Sequence, residues 1–402
     1  MTLPPGYDCY PRSCRLRSFV PYPICTADRN PGGMEVGMHL NMRPYLRLSK
    51  KRALYIGDEF GLLYTHGKLW ACDRGFQNEK LIGKLPCGIV QSLMTKFFLT
   101  ERMFRYKPRC AVRVSENEVI ISCMGMVYLV DVRQRTIRAE HRFRHGMRNA
   151  LRFCRIEGIP GFDSCVAYGE YWGNPDAEAV GVYCRSGGKW RKAYSFSRGS
   201  VLHIHGFCPD PAHKRVLILT GDQDRESGIW AAYDNFKRVE PVKVGSQQYR
   251  ACAAFAFGDQ ILYATDTALE NNALYLLNVD GSIQKIYDMP GPCIFASEFL
   301  GTDGQRQFAF ATSVEPDSRI SGIRYMLTRR LATGVKSRHS CLIVGDPAHG
   351  FRTALKINKD ILPMGLFGFG NLLFPDNELG SLTFLPQGLR SGIGTYTVLA
   401  EE

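Results

Sequence analysis

The sequence contains no run of eighteen apolar residues, so nothing in it reads as a membrane-spanning helix. It carries 14 cysteines but no Cys-x-x-Cys pair. They are scattered singly, and several sit inside apolar runs: Cys123 in VIISCMGM, Cys252 in RACAAFAF, Cys341 in SCLIVG. Free cysteine behaves as a small buried hydrophobe, so this usage argues against a disulfide framework and for a reducing compartment. The opening MTLPPGYDCYPRS lacks the apolar segment of a secretory signal, which makes the cytoplasm the expected location. There is no P-loop, no Gly-x-Ser-x-Gly elbow, no His-Glu-x-x-His and no zinc-type cysteine pattern. The glycines of GLFGFGN lack the spacing of a dinucleotide fingerprint. Those absences remove the best-marked nucleotide, hydrolase and metalloprotease chemistries.

Charge of one sign is in excess, with 51 Lys and Arg against 38 Asp and Glu, a formal net charge of +13. Such a surplus favours anionic partners. The candidates on charge are nucleic acid, an acidic polysaccharide or oligosaccharide, and a lipid headgroup surface, and no nucleic-acid-binding module is recognisable. The densest stretch holds Arg133, Arg135, Arg138, Arg142, Arg144, Arg148 and Arg152, and reads as a solvated outer strand with its loop.

Residues 1–45 are rich in Pro, Gly and Arg without sustained periodicity, and are expected to form an arm packed on the body. From 46 to 402 the chain runs in short apolar or alternating segments separated by Gly, Asp, Asn and Pro, the pattern of an all-β protein. The segments recur. CVAYGEYWGN, VLILTGD, ILYATDT and FAFATSVEPD align so that Gly169-Glu170, Gly221-Asp222, Thr265-Asp266 and Thr312-Ser313 share one position. Their intervals are close to the roughly 40–50 residues of a propeller blade. Weaker copies, VIISCMGMVYLVDV and ALYIGDEFGLLYTHGKLWACD before and GLFGFGNLLFPDNELGSLTFL after, predict a single β-propeller of about seven blades, with six or five as alternatives. The one helical spacing, over SLMTKFFLTERMFR (92–105), is expected to cover an exposed blade face.

In a propeller the first strand of each blade lines the channel, and the loops between second and third strands open where those first strands begin. Predicted first strands start at Arg148-Asn149, at His203 and His205, and at Gln248-Tyr249-Arg250. Residues two apart on a strand share a face, which pairs His203 with His205 and Gln248 with Arg250. The corners after second strands carry Asp58, Glu170, Asp222 and Asp266, with Trp172 and Asn271 nearby. Each has a plain alternative: Gly-Asp is a common turn, a histidine pair can bond neighbouring strands, and an arginine can bridge blades. Their convergence at one funnel is what points to a site. Catalytic candidates are His203, His205, Tyr249, Arg250, Asp222 and Glu170. Substrate-binding candidates are Asp58, Arg148, Asn149, Trp172, Gln248, Asp266 and Asn271.

The series GEYW-N, SGGKW, HIH, TGD, QYR and ATDT-NN, over residues 150 to 290, resembles bacterial propellers with BNR or Asp-box repeats, the sialidase-like group. Ser186-Gly187-Gly188-Lys189-Trp190 is a shortened Asp-box without its aspartate. The resemblance implies a carbohydrate-active propeller. Propeller uronate lyases use His, Tyr and Arg, or a histidine-rich metal site with a glutamine. His203, His205, Gln248, Tyr249 and Arg250 resemble parts of both, with a divalent metal on His203, His205 and Gln248 as an open option. Elimination from an anionic uronate polysaccharide is slightly preferred, since it needs a carboxylate neutraliser, a base and an acid. Hydrolysis by paired carboxylates and glycan binding or scaffolding without catalysis are the alternatives.

Overall fold

The middle strands of this chain are apolar on both faces, whereas the strands that follow alternate. Arg215–Gly221 (RVLILTG) is buried almost throughout, while Arg238–Val244 (RVEPVKV) alternates exposed and half-buried residues. A sheet packed between two neighbouring sheets produces this contrast, because only its outermost strand meets solvent along one side. The same contrast recurs along the chain of the computed structural model, which describes residues 44–49, 51–301, 303–390 and 394–398, the first and last of these stretches through their strands. The expected arm, 1–45, falls almost wholly outside the described residues.

Six blades are each built from four consecutive antiparallel strands, beginning at Arg52–Ile56, Ala111–Arg113, Cys154–Ile156, His203–Asp210, Ala251–Phe257 and Cys293–Leu300. A further sheet joins Asn371–Leu373, Leu382–Gln387 and Gly394–Val398 to the first described strand, Pro44–Ser49. The early strand thereby pairs antiparallel with the late one, and the two-residue strand Asp376–Asn377 adds in parallel beside Tyr55–Ile56. Pairing the early strand with the late one joins the two ends of the described chain in one sheet. The fold is the all-β propeller expected, with helix confined to short segments.

Seams between blades are apolar and interdigitated. Between the fourth and fifth blades, Leu217, Leu219, Ile229, Ala251, Ile261 and Tyr263 form one buried cluster. Turns at the blade rim take left-handed residues, as at Asp234, Asn235 and Phe236, where φ is 50°, 57° and 66°.

The helical stretch differs from its expectation. Instead of one helix over 92–105 there are two, α1 Ile89–Met94 and α2 Phe98–Phe104. Thr95 Oγ1 donates to the Ser92 carbonyl at 2.9 Å, and Thr100 Oγ1 to that of Phe97 at 3.0 Å. Such hydroxyl bonds offer the backbone an alternative to continuing the helix. The apolar side chains Leu93 and Phe97 remain exposed, and the buried side chain of α2 is Arg102. This segment therefore does not seal a blade with its apolar residues.

Leu219, wholly buried in the fourth–fifth seam, provides a measure of blade packing. Leu219→Ala is expected to lower the unfolding free energy by about 2–5 kcal/mol, read by urea denaturation. A loss under about 1 kcal/mol would mean that the seam collapses around the gap.

Candidate functional site

Each blade delivers residues to the channel from two places, the start of its first strand and the end of its second. In the fourth blade the second strand ends at Gly221, and Asp222 follows. The first strand begins at His203, and its pairing slips between Ile204 and Gly206, so that His205 stands outside the ladder as a bulge residue. Bulges re-aim side chains, and they recur here at Cys252 and Ile294 in the next two first strands. With the bulge, both histidines reach one carboxylate: His203 Nε2 lies 3.1 Å from Asp222 Oδ2, and His205 Nε2 3.3 Å from Oδ1. Gly221 makes room for this, since a Cβ there would sit 2.6 Å from His205 Cε1 and 3.1 Å from Arg250 Cγ.

Arg250, just ahead of the fifth blade's first strand, binds the same carboxylate. Its Nη2 is 2.9 Å from Asp222 Oδ1 and 3.7 Å from Asp266 Oδ2, and its Nη1 donates to the Asp222 carbonyl at 3.0 Å. Asp266 in turn accepts from the Cys252 thiol at 3.1 Å. Tyr171 covers the histidines, its ring centroid 4.5 Å from that of His203, and Arg109 lies over the Tyr171 ring at 5.7 Å.

The histidine tautomers follow from their partners. His203 Nδ1 faces the Trp172 carbonyl at 3.2 Å and His205 Nδ1 the Ala251 carbonyl at 3.0 Å. A carbonyl only accepts, so both Nδ1 atoms carry hydrogen. In a neutral ring each Nε2 then points a lone pair toward an ionised carboxylate. His203 Nε2 is buried and off the line that a hydrogen bond requires. That arrangement is repulsive unless a proton or a cation lies between. The donor set of two imidazole nitrogens and one carboxylate, mutually within 4.8 Å, suits a divalent transition-metal ion. The second set, His205, Cys252 and Asp266, fits less well. Burial and the neighbouring Asp266 push the Cys252 thiol well above its usual range, so it stays a thiol rather than a ligand thiolate.

Charges here are separated sharply. Burial opposes ionisation of Asp222, but contacts from His203 and His205 and the charge of Arg250 outweigh it and hold the acid well below its usual range. Burial instead prevails at Asp266, which is raised despite Arg250. It prevails more strongly at Glu315, which burial and the charge of Asp266 push up to about 8. Tyr171 is likewise raised by burial and by Asp222. Asp222 itself, ringed by these groups, keeps its side chain 39% accessible.

Of the residues singled out from sequence, His203, His205, Asp222, Arg250 and Asp266 are brought together, with Trp172 contributing its carbonyl. The others lie elsewhere. Asp58 sits on the turn between the first and second strands of its blade, at the opposite end of the channel, exposed and 3.0 Å from Arg74. Glu170 is buried, accepts from the Gly181 amide at 2.7 Å and lies 3.2 Å from Arg144. It lines a cavity of about 650 Å³ whose charged groups largely pair with one another. Asn149 accepts from Ser122 Oγ at 3.1 Å, and Asn271 is exposed. Tyr249 lies near Tyr263, and Gln247 rather than Gln248 reaches the Asp222 carbonyl, at 2.9 Å. A 3-10 turn over Gln247–Tyr249 breaks the two-residue alternation assumed for that segment. Arg148 joins Arg105 and Arg109 in a set of cations, and the like charges of Arg109 and Arg148 lower Arg105 further than its burial alone does. Among the described residues no carboxylate ion-pairs with any of these three. Arg109, Glu315 and Cys252 were not singled out. Arg109 precedes its blade's first strand as Arg250 does, a positional signal that the blade repeat contains.

No protein-family model matches the chain, and no curated protein matches it either. Among solved structures the chain is similar to a catalytically inactive virginiamycin B lyase from Staphylococcus aureus bound to quinupristin, at 8% identity and a TM-score of 0.52. That match covers 88% of this chain and 98% of that one. It also matches an oligogalacturonate lyase from Vibrio parahaemolyticus, at 9% identity over 89% of this chain and 92% of that one, TM-score 0.49. A calcium-binding regucalcin from Agrobacterium tumefaciens matches at 10% identity over 82% and 97%, TM-score 0.44. At such identities the likeness is one of fold, a β-propeller.

Glu315 supplies a pH test. Its folded-state value is raised to about 8, so the stability tied to its neutral form is complete below the ordinary glutamate range and lost as pH rises through about 8. Melting temperature should fall from the ordinary glutamate range up to about pH 8, and Glu315→Gln should flatten that fall. Equal slopes in both proteins would show that Glu315 ionises without cost.

Proposed function

We propose that this propeller cleaves an anionic, uronate-containing oligosaccharide by β-elimination at the His203–His205–Asp222 cluster. The observation that carries the reading is the pair of imidazoles whose Nε2 atoms both face Asp222, beside arginines that form no ion pair with a carboxylate among the described residues. Arg250 is already engaged by Asp222 and Asp266, so the substrate carboxylate falls to Arg109 with Arg105 and Arg148. His203 Nε2 takes the proton from the carbon next to that carboxylate. The electron pair left behind forms the new carbon–carbon double bond as the bond to the glycosidic oxygen breaks. Tyr171, kept protonated by burial and by Asp222, gives its proton to the departing oxygen. Asp222 stabilises the imidazolium formed on His203. This assigns to Tyr171 the role that the sequence pattern suggested for Tyr249. The resemblance to BNR or Asp-box propellers agrees with a carbohydrate substrate.

Hydrolysis is the second reading, favoured by one observation. Asp222 is held ionised while Glu315 stays neutral up to about 8, the divergence expected of a base and an acid.

Incubation with uronate oligosaccharides separates the two. Elimination leaves a conjugated double bond that absorbs in the ultraviolet, whereas hydrolysis yields reducing ends without it. His203→Ala is expected to reduce turnover by roughly 10²–10⁴-fold with an unchanged circular dichroism spectrum. Turnover that survives this change would remove His203 from the mechanism, and absence of both products would leave binding alone.

A further inference from the structure

A second group of cations surrounds the start of the first blade. Arg52 opens that blade's innermost strand, Arg102 lies on α2, and Lys107 follows it. Arg52 Nη2 donates to Gln387 Oε1 at 3.1 Å, but its Nη1 is buried without a hydrogen-bond partner. Arg102 donates through Nε to the Phe367 carbonyl and through Nη1 to Asp360, while its Nη2 is also buried and unpartnered. Both side chains are more than nine-tenths buried, with exposures of 8% and 4%. Gly388, with φ of +70°, lets Arg102 approach the backbone closely, since a Cβ there would lie 2.9 Å from Arg102 Nη2.

The local charge does not balance. Lys107 makes no ion pair among the described residues, and burial together with the charge of Arg52 lowers it well below the usual lysine range. Glu101 accepts from the Tyr64 hydroxyl at 2.6 Å, and Asp360 is shared by Arg102 and Lys359. Arg52, Arg102, Lys107 and Lys359 thus face two carboxylates. Leaving buried guanidinium donors unpaired is costly, and an anion accepting from both would relieve the cost. Arg105 connects this group to the funnel, for its charge acts on Lys107 while Arg109 and Arg148 act on it.

We infer that Arg52, Arg102 and Lys107 form an anion-binding pocket that holds the carboxylate of a second uronate residue of the same oligosaccharide. The assignment of the anion rests on the cleavage reading above, whereas the pocket rests on its own donors. A carboxylate there accepts from Arg52 Nη1 and Arg102 Nη2, and its negative charge favours the protonated form of Lys107. The string of cations through Arg105 to Arg109 then tracks successive negative charges along one chain.

The probe is glucuronate, with glucose as the uncharged control at matched ionic strength, on the full-length protein. Isothermal titration should show glucuronate binding that Lys107→Gln weakens roughly tenfold, the effect of losing one charge-assisted contact. Lys107→Arg should restore it, and Arg109→Gln should leave the Lys107-dependent part in place. A second measurement needs no variant: glucuronate should protect Lys107 from acetylation in the wild-type protein, read by mass spectrometry. Binding that is unchanged in Lys107→Gln, or no protection of Lys107, overturns the pocket while leaving the His203 site untouched. Lys107-dependent binding in a protein that turns over no uronate upholds the pocket and removes the cleavage reading.

Discussion

The carboxylate of Asp222 is the point on which the funnel is organised. It holds both histidines of one first strand and the arginine that precedes the next, joining the fourth and fifth blades by charge where their seam is otherwise apolar. A buried carboxylate with so many partners is stabilising only while all of them remain, because removal of one strands the charge. Burial first, with the charge of Asp222 adding to it, disfavours Asp266 and Glu315 as anions and keeps the proton on Tyr171.

The propeller supplies this geometry almost without local design. Closed packing of blades places every first-strand start beside a neighbour's second-strand end, so any polar residues there must meet. What the fold does not supply is the close approach of two histidines to one carboxylate. That depends on the slipped pairing at His205 and on the missing Cβ of Gly221, which together let the ring lie against the end of the second strand.

Much of the fold was legible in the sequence, because a blade writes its period into the chain: an apolar middle strand, an acid after it, an alternating outer strand. The core of the site was legible for the same reason, through His203, His205, Asp222, Arg250 and Asp266. The misplacements share a cause. Tyr249 and Gln248 were read as strand residues, but the segment turns as a 3-10 helix and exchanges Gln247 for Gln248. Asp58 follows a first strand instead of a second, which moves it to the other end of the channel. Glu170 does occupy the right corner, yet the backbone amide of Gly181 and the guanidinium of Arg144 both engage its Oε2. Strand order, local turn type and hydrogen-bond satisfaction are tertiary facts, and hydrophobic pattern does not encode them.

The two ends of the channel differ in how their charges are balanced. At the far end Arg113 and Arg155 meet Glu378, and Arg155 meets Asp376 at 2.7 Å, with the Tyr55 hydroxyl completing the group. Every charge there has an opposite partner, and the cluster ties the parallel strand Asp376–Asn377 to the first three blades. At the near end the carboxylates are already committed to His203, His205 and Arg250, yet Arg105, Arg109 and Arg148 add positive charge that no carboxylate among the described residues pairs with. A self-satisfied cluster gains nothing from an added anion, whereas an unbalanced one does. Arg105, Arg109 and Arg148 are thus a local part of the chain's surplus of +13, set beside the two histidines.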